Sequence, residues 1–305
     1  MSRVRIVEVG PRDGLQNEKD VVPTATKLEL IRRLASAGLR DIEVTSFVSP
    51  KWVPQMADHA AIMAGLPHMP RINLPVLTPK LQGFEAAVAA GAKEVAVFAA
   101  ASEAFSRKNI NCSIAESLQR FAPIFEAARR QNERVRGYVS CVVACPYEGL
   151  VAPEQVADIA SRLYDLGSYE ISLGDTIGVG TPASVVRMIE SVERKVPLEK
   201  LAGHFHDTYG MAVANVQAAW QAGLRVFDSS IAALGGCPYA RGATGNIATE
   251  DAVYLMNGLG QDTGVDLESL VDTAEWISGQ LDRAPVSRVS RAVLAKRQSS
   301  PAAAR

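Results

Sequence analysis

Residues 163–175 read LYDLGSYEISLGD, and the order of events inside them decides the fold. An amphipathic stretch ends at Leu166. Gly167 follows, where a helix C-terminus calls for a residue in the left-handed region. Two polar residues then lead into a short apolar run closed by Asp175. The same grammar recurs as ASAGLRDIEVTSF (35–47), AVAAGAKEVAVFAA (87–100) and WQAGLRVFDSSI (220–231), with Gly38, Gly91 and Gly223 in the place of Gly167. Helix starts agree: Pro153 and the pair Thr181-Pro182 are first-turn and N-cap signals. Val156, Ile159, Leu163 and Leu166 keep near-helical spacing behind the first of them.

With this grammar the chain contains eight strands. They are VRIVEVG (4–10), DIEVTSF (41–47), RINLPVL (71–77), EVAVFAA (94–100), VRGYVSCVV (135–143), YEISLGD (169–175), LAGHFHD (201–207) and VFDSSIA (226–232). A helical pattern follows each, and strand starts recur every 23 to 41 residues, the span of a βα unit. Eight strictly alternating units predict a (β/α)8 TIM barrel of the α/β class, with an open doubly wound sheet as the alternative. Residues 1–285 are expected to form this single domain, including an added C-terminal helix from Asp266 to about Leu281 packed outside the barrel. From Val286 the chain holds five basic residues, no acidic ones and much Ala and Ser. Residues 286–305 are therefore expected to be a loosely ordered, flexible tail.

Composition narrows the partners. Among 305 residues, 48% are hydrophobic, and 32 basic residues balance 33 acidic ones. That balance argues against a nucleic-acid or membrane-surface partner recruited by overall charge. Four cysteines without a CxxC pair point to reduced thiols. The N-terminus enters a strand pattern at once, and no apolar run is long enough to span a bilayer. A cytoplasmic protein with no leader segment is expected.

A barrel of this kind carries its active site at the C-terminal ends of its strands. Those ends are polar here: Arg12 and Asp13 after the first, Glu43 and Ser46 in the second, and Asp175 closing the sixth. His204, His206 and Asp207 close the seventh, and GGCPYARGATGN (235–246) follows the eighth. In GHFHDTYG (203–210), strand alternation turns His204 and His206 to one face and Phe205 to the other. On a helix the two imidazoles would stand about 200° apart. Two imidazoles, the Asp13 carboxylate and an amide oxygen from Asn246 suit a six-coordinate divalent cation such as Mg²⁺ or Mn²⁺. A His₂-carboxylate set also suits zinc, and residue types alone leave that choice open. His59, His68, Cys141 and Cys145 are read as structural. Asp207 either orients an imidazole or caps the next helix.

Six segments carry a family resemblance: VGPRDGLQNEK (9–19), IEVTSFVSPKWVPQMAD (42–58), CVVACPYEG (141–149), LGDTIGVG (173–180), GHFHDTYG (203–210) and GGCPYARGATGNIATED (235–251). In that order, over roughly residues 4 to 280, the chain resembles 3-hydroxy-3-methylglutaryl-CoA lyases. RDG and HxH alone indicate only a superfamily of metal-dependent barrel lyases and synthases; SFVSPKWVPQM and GGCPYA are more specific. The resemblance implies Asp13, His204, His206 and Asn246 as metal ligands. It implies Arg12 beside the substrate carbonyl, Cys237 as a catalytic thiol on a mobile loop, and Glu43 and Asp175 as supporting carboxylates. Asn109 and Ser113, in SRKNINCS (106–113), match positions expected to meet the CoA moiety, as do Lys19 and Gln16.

The implied reaction is a cation-dependent retro-Claisen cleavage of an acyl-CoA substrate to acetyl-CoA and acetoacetate, by default in leucine catabolism, and a homodimer is expected. The base is Asp175, Glu43 or a histidine. Three alternatives stay open: a lyase for a larger 3-hydroxy-3-alkylglutaryl-CoA such as the isohexenyl analogue, a Claisen synthase using acetyl-CoA, and a barrel that binds without catalysing. No cysteine follows Cys237, so regulation through a C-terminal thiol is not expected.

Overall fold

The computed structural model describes residues 3–236 and 245–299. Strand β1 (Arg5–Glu8) leads to helix α1 (Thr24–Ser36), and β2 (Asp41–Ile42) with β3 (Thr45–Ser46) leads to α2 (His59–Gly65). Then come β4 (Val76–Leu77), α3 (Leu81–Ala89), β5 (Glu94–Ala100), α4 (Glu103–Ile110), α5 (Ile114–Gln131) and β6 (Arg134–Ser140). A short hairpin, β7 (Ala144–Cys145) and β8 (Gly149–Leu150), precedes α6 (Pro153–Leu166). The remainder runs β9 (Glu170–Asp175), α7 (Pro182–Glu193), β10 (Leu201–Phe205), α8 (Ala212–Gln221), β11 (Val226–Ser229), α9 (Thr249–Gly258) and α10 (Leu267–Gln280).

The sheet closes on itself. Its order is β2-β1-β11-β10-β9-β6-β5-β4-β3, every pair parallel, and β2 and β3 are halves of one segment. Between the halves the ladder continues through Glu43 N donating to Glu8 O (2.8 Å) and Val44 N to Pro75 O (3.0 Å). The eight expected strands are thus the eight staves of a TIM barrel. Only Val76–Leu77 of segment 71–77 is a regular strand, because Pro75 has no N–H for the ladder.

Gly38, Gly91, Gly167 and Gly223 all take positive φ, between 93° and 114°, at the four predicted helix-to-strand turns. Outward strand faces and inward helix faces form the main core. α6 supplies Val156, Ala157, Ile159, Ala160 and Leu163, all buried. Truncating such a residue, for example Leu163→Ala, costs about 2–5 kcal/mol. Asp266, where the added C-terminal helix was expected to begin, caps α10 by accepting from Ser269 N (2.7 Å). Among the described residues no helix is long and apolar enough to cross a membrane.

One expectation is corrected. Arg288–Ser299 is a helix, α11, where a loosely ordered tail was expected. Polar anchors hold it against α9. Asp251 accepts from Ser287 Oγ and Val289 N, and Ser290 Oγ donates to Glu250 Oε1 at 2.7 Å. Arg297 reaches Glu268 and Asp272 on α10. Apolar periodicity does not register contacts of this kind.

Candidate active site

The mouth is built first by how β1 ends. Residues Gly10–Gly14 form one π-helical turn, with Asp13 N and Gly14 N both donating to Val9 O (2.7 and 3.2 Å). Such single wide turns recur at functional sites. A Cβ on Gly14 would lie 2.7 Å from Leu234 Cβ, so this close approach requires glycine. The turn directs Arg12 into the barrel, where it is buried, and leaves Asp13 half-buried at the rim.

The imidazole pair comes from β10, as strand alternation predicts. His204 and His206 face one another with their Nε2 atoms 3.3 Å apart. Past the loop after β11 the chain returns antiparallel to the end of β10. Ile247 N donates to Phe205 O (3.1 Å) and Asp207 N to Gly245 O (2.8 Å). Asn246 therefore stands opposite His206 and donates its Nδ2 to Asp13 Oδ2 at 2.7 Å. One ligand atom each from Asp13, His204 and His206 lies within 4.8 Å of the others.

Electrostatics favours a cation at this point. Burial, helped by the neighbouring His204, pushes His206 down to about 4, so its ring is neutral at pH 7 and offers a lone pair. Burial opposes the Asp13 charge, but Arg12, His204, the Asn246 amide and His206 outweigh it and hold the carboxyl below the usual range. The neutral His206 ring, the His204 imidazole and an anionic oxygen converge on one point, and that donor set fits a divalent ion.

Arg12 lies beside them. Its Nε donates to Glu43 Oε2 at 2.6 Å and one terminal nitrogen to Asp13 Oδ1 at 2.8 Å. Its other terminal nitrogen makes no hydrogen bond among the described residues. The Tyr138 ring lies 5.7 Å from this guanidinium. Arg12, Asp13, His204 and His206 line a cavity of about 180 Å³, with Leu77, Phe98 and Phe105 among its apolar lining residues.

The remaining predicted residues divide. Asn109 and Gln16 line the cavity. Ser113 does not; it is the N-cap of α5, in a reciprocal box with Glu116. Lys19 is exposed and away from the cavity lining. Glu43 is fully buried behind Arg12, and burial, opposed by Arg12, holds its carboxyl above the ordinary value.

Gly174 and Thr176 line the cavity and Asp175 between them does not. Register explains it: His204 pairs with Gly174, whereas Asp175 pairs with outward-facing Phe205. Asp175 Oδ2 instead accepts Gly180 N at 2.8 Å, and burial lifts its carboxyl to about 6. Asp207 is a cap: its Oδ1 accepts Ala212 N at the start of α8 (2.9 Å). His59 bonds Met56 O through Nδ1, and Cys141 and Cys145 are buried. Cys237 lies outside the described residues; Gly236, just before it, lines the cavity.

Sequence reasoning missed the charges beneath the site. Asp228 on β11 bonds His204 Nδ1 (3.1 Å) and Arg136 on β6 (2.7 Å), and Arg136 also holds Glu170 (2.8 Å). Their only signal was the charge itself, inside otherwise apolar strands.

Residues 3–277 match the model of the family described as HMGL-like. The chain belongs to this family. Among relatives, it is 59% identical to the chicken (Gallus gallus) "Hydroxymethylglutaryl-CoA lyase, mitochondrial", over 95% of this chain and 97% of that one. It is likewise 59% identical to the Pseudomonas aeruginosa "3-hydroxy-3-isohexenylglutaryl-CoA/hydroxy-methylglutaryl-CoA lyase", over 96% and 98%. The crystal structure of a hydroxymethylglutaryl-CoA lyase from Pseudomonas aeruginosa superposes with a TM-score of 0.94, covering 96% of this chain and 98% of that one at 59% identity. The HMGL-like family thus accounts for the whole barrel, including every strand that contributes to the mouth.

Proposed function

We propose that this protein is a hydroxymethylglutaryl-CoA lyase, a carbon–carbon lyase that divides 3-hydroxy-3-methylglutaryl-CoA into acetyl-CoA and acetoacetate. The observation that carries the reading is the convergence of Asp13, His204 and His206 beside Arg12 in one cavity, in a chain 59% identical to proteins of that name. Asp13, His204 and His206 would hold a divalent cation, Mg²⁺ or Mn²⁺. Asn246 presents Nδ2 to Asp13 here, so its oxygen serves as a fourth ligand only after the amide turns over.

When bound, the cation supplies the electron withdrawal that makes a tertiary alcohol acidic near neutral pH. The residues do the rest. As the C3 hydroxyl loses its proton to a base, the C2–C3 bond breaks and its electrons collect on the thioester oxygen as an enolate. Arg12 meets that oxygen with the edge left free by Glu43 and Asp13; one such fixed donor is worth about 3 kcal/mol of barrier. Glu43 locks the guanidinium plane through Nε. Asp175, turned out of the cavity, is a poor choice of base. Cys237 gives its thiol proton to C2, and the thiolate regains a proton from the conjugate acid of the base, which restores both groups. Asn109 and Gln16, which line the cavity, would meet the CoA end of the acyl thioester.

Product analysis with 3-hydroxy-3-methylglutaryl-CoA, with EDTA and with added Mg²⁺ or Mn²⁺, tests this. Acetyl-CoA and acetoacetate should form only when cation is present. Release of CoA from acetyl-CoA and 2-oxoisovalerate, without cleavage of the glutaryl thioester, would replace the lyase by a synthase. A second reading, cleavage of thioesters with a larger C3 substituent, is favoured by the apolar lining residues Leu77, Phe98 and Phe105 and by the dual name of the Pseudomonas relative. Competition between the methyl and isohexenyl substrates decides it.

A further inference from the structure

His204 is held from behind by a carboxylate that has no freedom of its own. Asp228 is 2% exposed, and each of its oxygens is engaged. Oδ1 accepts from Arg136 (2.7 Å), while Oδ2 accepts from Arg136 (3.2 Å), from Ser172 Oγ (2.6 Å) and from His204 Nδ1 (3.1 Å). An ionised carboxylate only accepts, so the shared hydrogen sits on Nδ1 of His204. In the neutral ring Nε2 is then bare, and Nε2 is the atom that faces His206 and the rim.

We propose that Asp228 is the positioning residue of the metal centre: it fixes His204 in the Nδ1–H tautomer and aims the Nε2 lone pair at the cation. Arg136 and Ser172 hold Asp228 for that task. Arg136 is itself fixed by Glu170 (2.8 Å), whose other oxygen meets Arg5 from the base of the barrel. The ligand imidazole is thus anchored by charges on β6, β9 and β1, not only by its own strand. This rests on the metal-site reading above.

The variant is Asp228→Asn. Its amide keeps the shape, but the oxygen goes to Arg136 and the NH₂ faces Nδ1, which must then accept. The hydrogen moves to Nε2, where it blocks coordination. Mn²⁺ binding, followed by the paramagnetic resonance of free Mn²⁺, should weaken about 10–100-fold. In metal-free wild-type protein labelled with ¹⁵N, long-range ¹⁵N–¹H correlation should show His204 Nε2 unprotonated and Nδ1 protonated.

Unchanged Mn²⁺ affinity in a folded Asp228→Asn variant overturns the role of Asp228 alone. So does an Nε2–H tautomer in the wild type, a measurement that decides the matter even if the variant does not fold. Wild-type protein that binds no Mn²⁺ overturns the metal site, and this inference with it.

Discussion

Replacing Arg12 by leucine separates two roles that its contacts combine. The guanidinium is buried against a fully buried Glu43 (2.6 Å) and also bonds Asp13 at the half-buried rim (2.8 Å). Deleting one partner of a buried ion pair leaves the other charge stranded, at a cost of about 3–5 kcal/mol. Water can replace Arg12 at Asp13 but not at Glu43. The loss should depend on pH. Burial already holds the Glu43 carboxyl above its ordinary value, and Arg12 is what pulls it back down. Without Arg12 the folded-state pKa rises further. A raised carboxyl contributes stability that is full below its unfolded pKa and is lost as pH climbs through the folded value. The deficit of Arg12→Leu should therefore be largest near pH 8 and shrink toward pH 5.

The double variant Arg12→Leu/Glu43→Leu removes both charges and should recover most of the stability, since apolar replacement of a buried pair is often neutral or better. Turnover should not recover. Losing the donor to the developing enolate oxygen costs about 10²–10³ in kcat in the single and the double variant alike. Urea unfolding at several pH values and steady-state cleavage of the methylglutaryl thioester read the two effects separately. A double variant that regains activity along with stability would reduce Arg12 to a structural ion-pair partner, and the catalytic assignment would be withdrawn.

Cys237→Ala should lose most turnover while binding Mn²⁺ as the wild type does; a wild-type rate removes the thiol as proton donor. Cation at about 100 times its Kd should stabilise the EDTA-stripped protein by about 2.7 kcal/mol, seen calorimetrically as a rise of several degrees in Tm. No shift would mean that the rim does not hold the ion. Finally, burial raises Glu8 to about 7. Its stabilising contribution is full below its ordinary value and is lost as pH rises through about 7, so moving from pH 8 to 5.5 should add about 2 kcal/mol through this group. Glu8→Gln should remove that increment from the unfolding free energy; an unchanged pH slope counts against the assignment.

The barrel was legible because its grammar is local. A glycine after a helix and an apolar run after the glycine report chain direction without reference to any distant residue, and all four such glycines adopt the positive φ they were read for. Asp13, His204 and His206 were legible for a similar reason: each stands at a strand end, and the imidazole pair declares its common face by spacing alone. Asp175 falls off the cavity lining because standing at a strand end does not determine facing. The register that sets His204 beside Gly174, and so turns Asp175 away, belongs to the pairing of β9 with β10 and is written in neither strand.

The charges inside the barrel show where such reading stops. Arg136, Glu170 and Asp228 lie on three different strands, and nothing in any one of them names its partner. Each alone looks like a defect in an apolar run, since an unpaired buried charge costs several kcal/mol. Only closure of the sheet makes them neighbours and supplies their hydrogen bonds. A buried ion pair of this kind adds little to stability compared with an apolar packing of the same volume. Its worth here lies in direction: it holds a carboxylate behind His204 at a fixed distance, which an apolar interior cannot do. The interior that reads worst as a core is thus the part of the fold that ties His204 to the rest of the barrel.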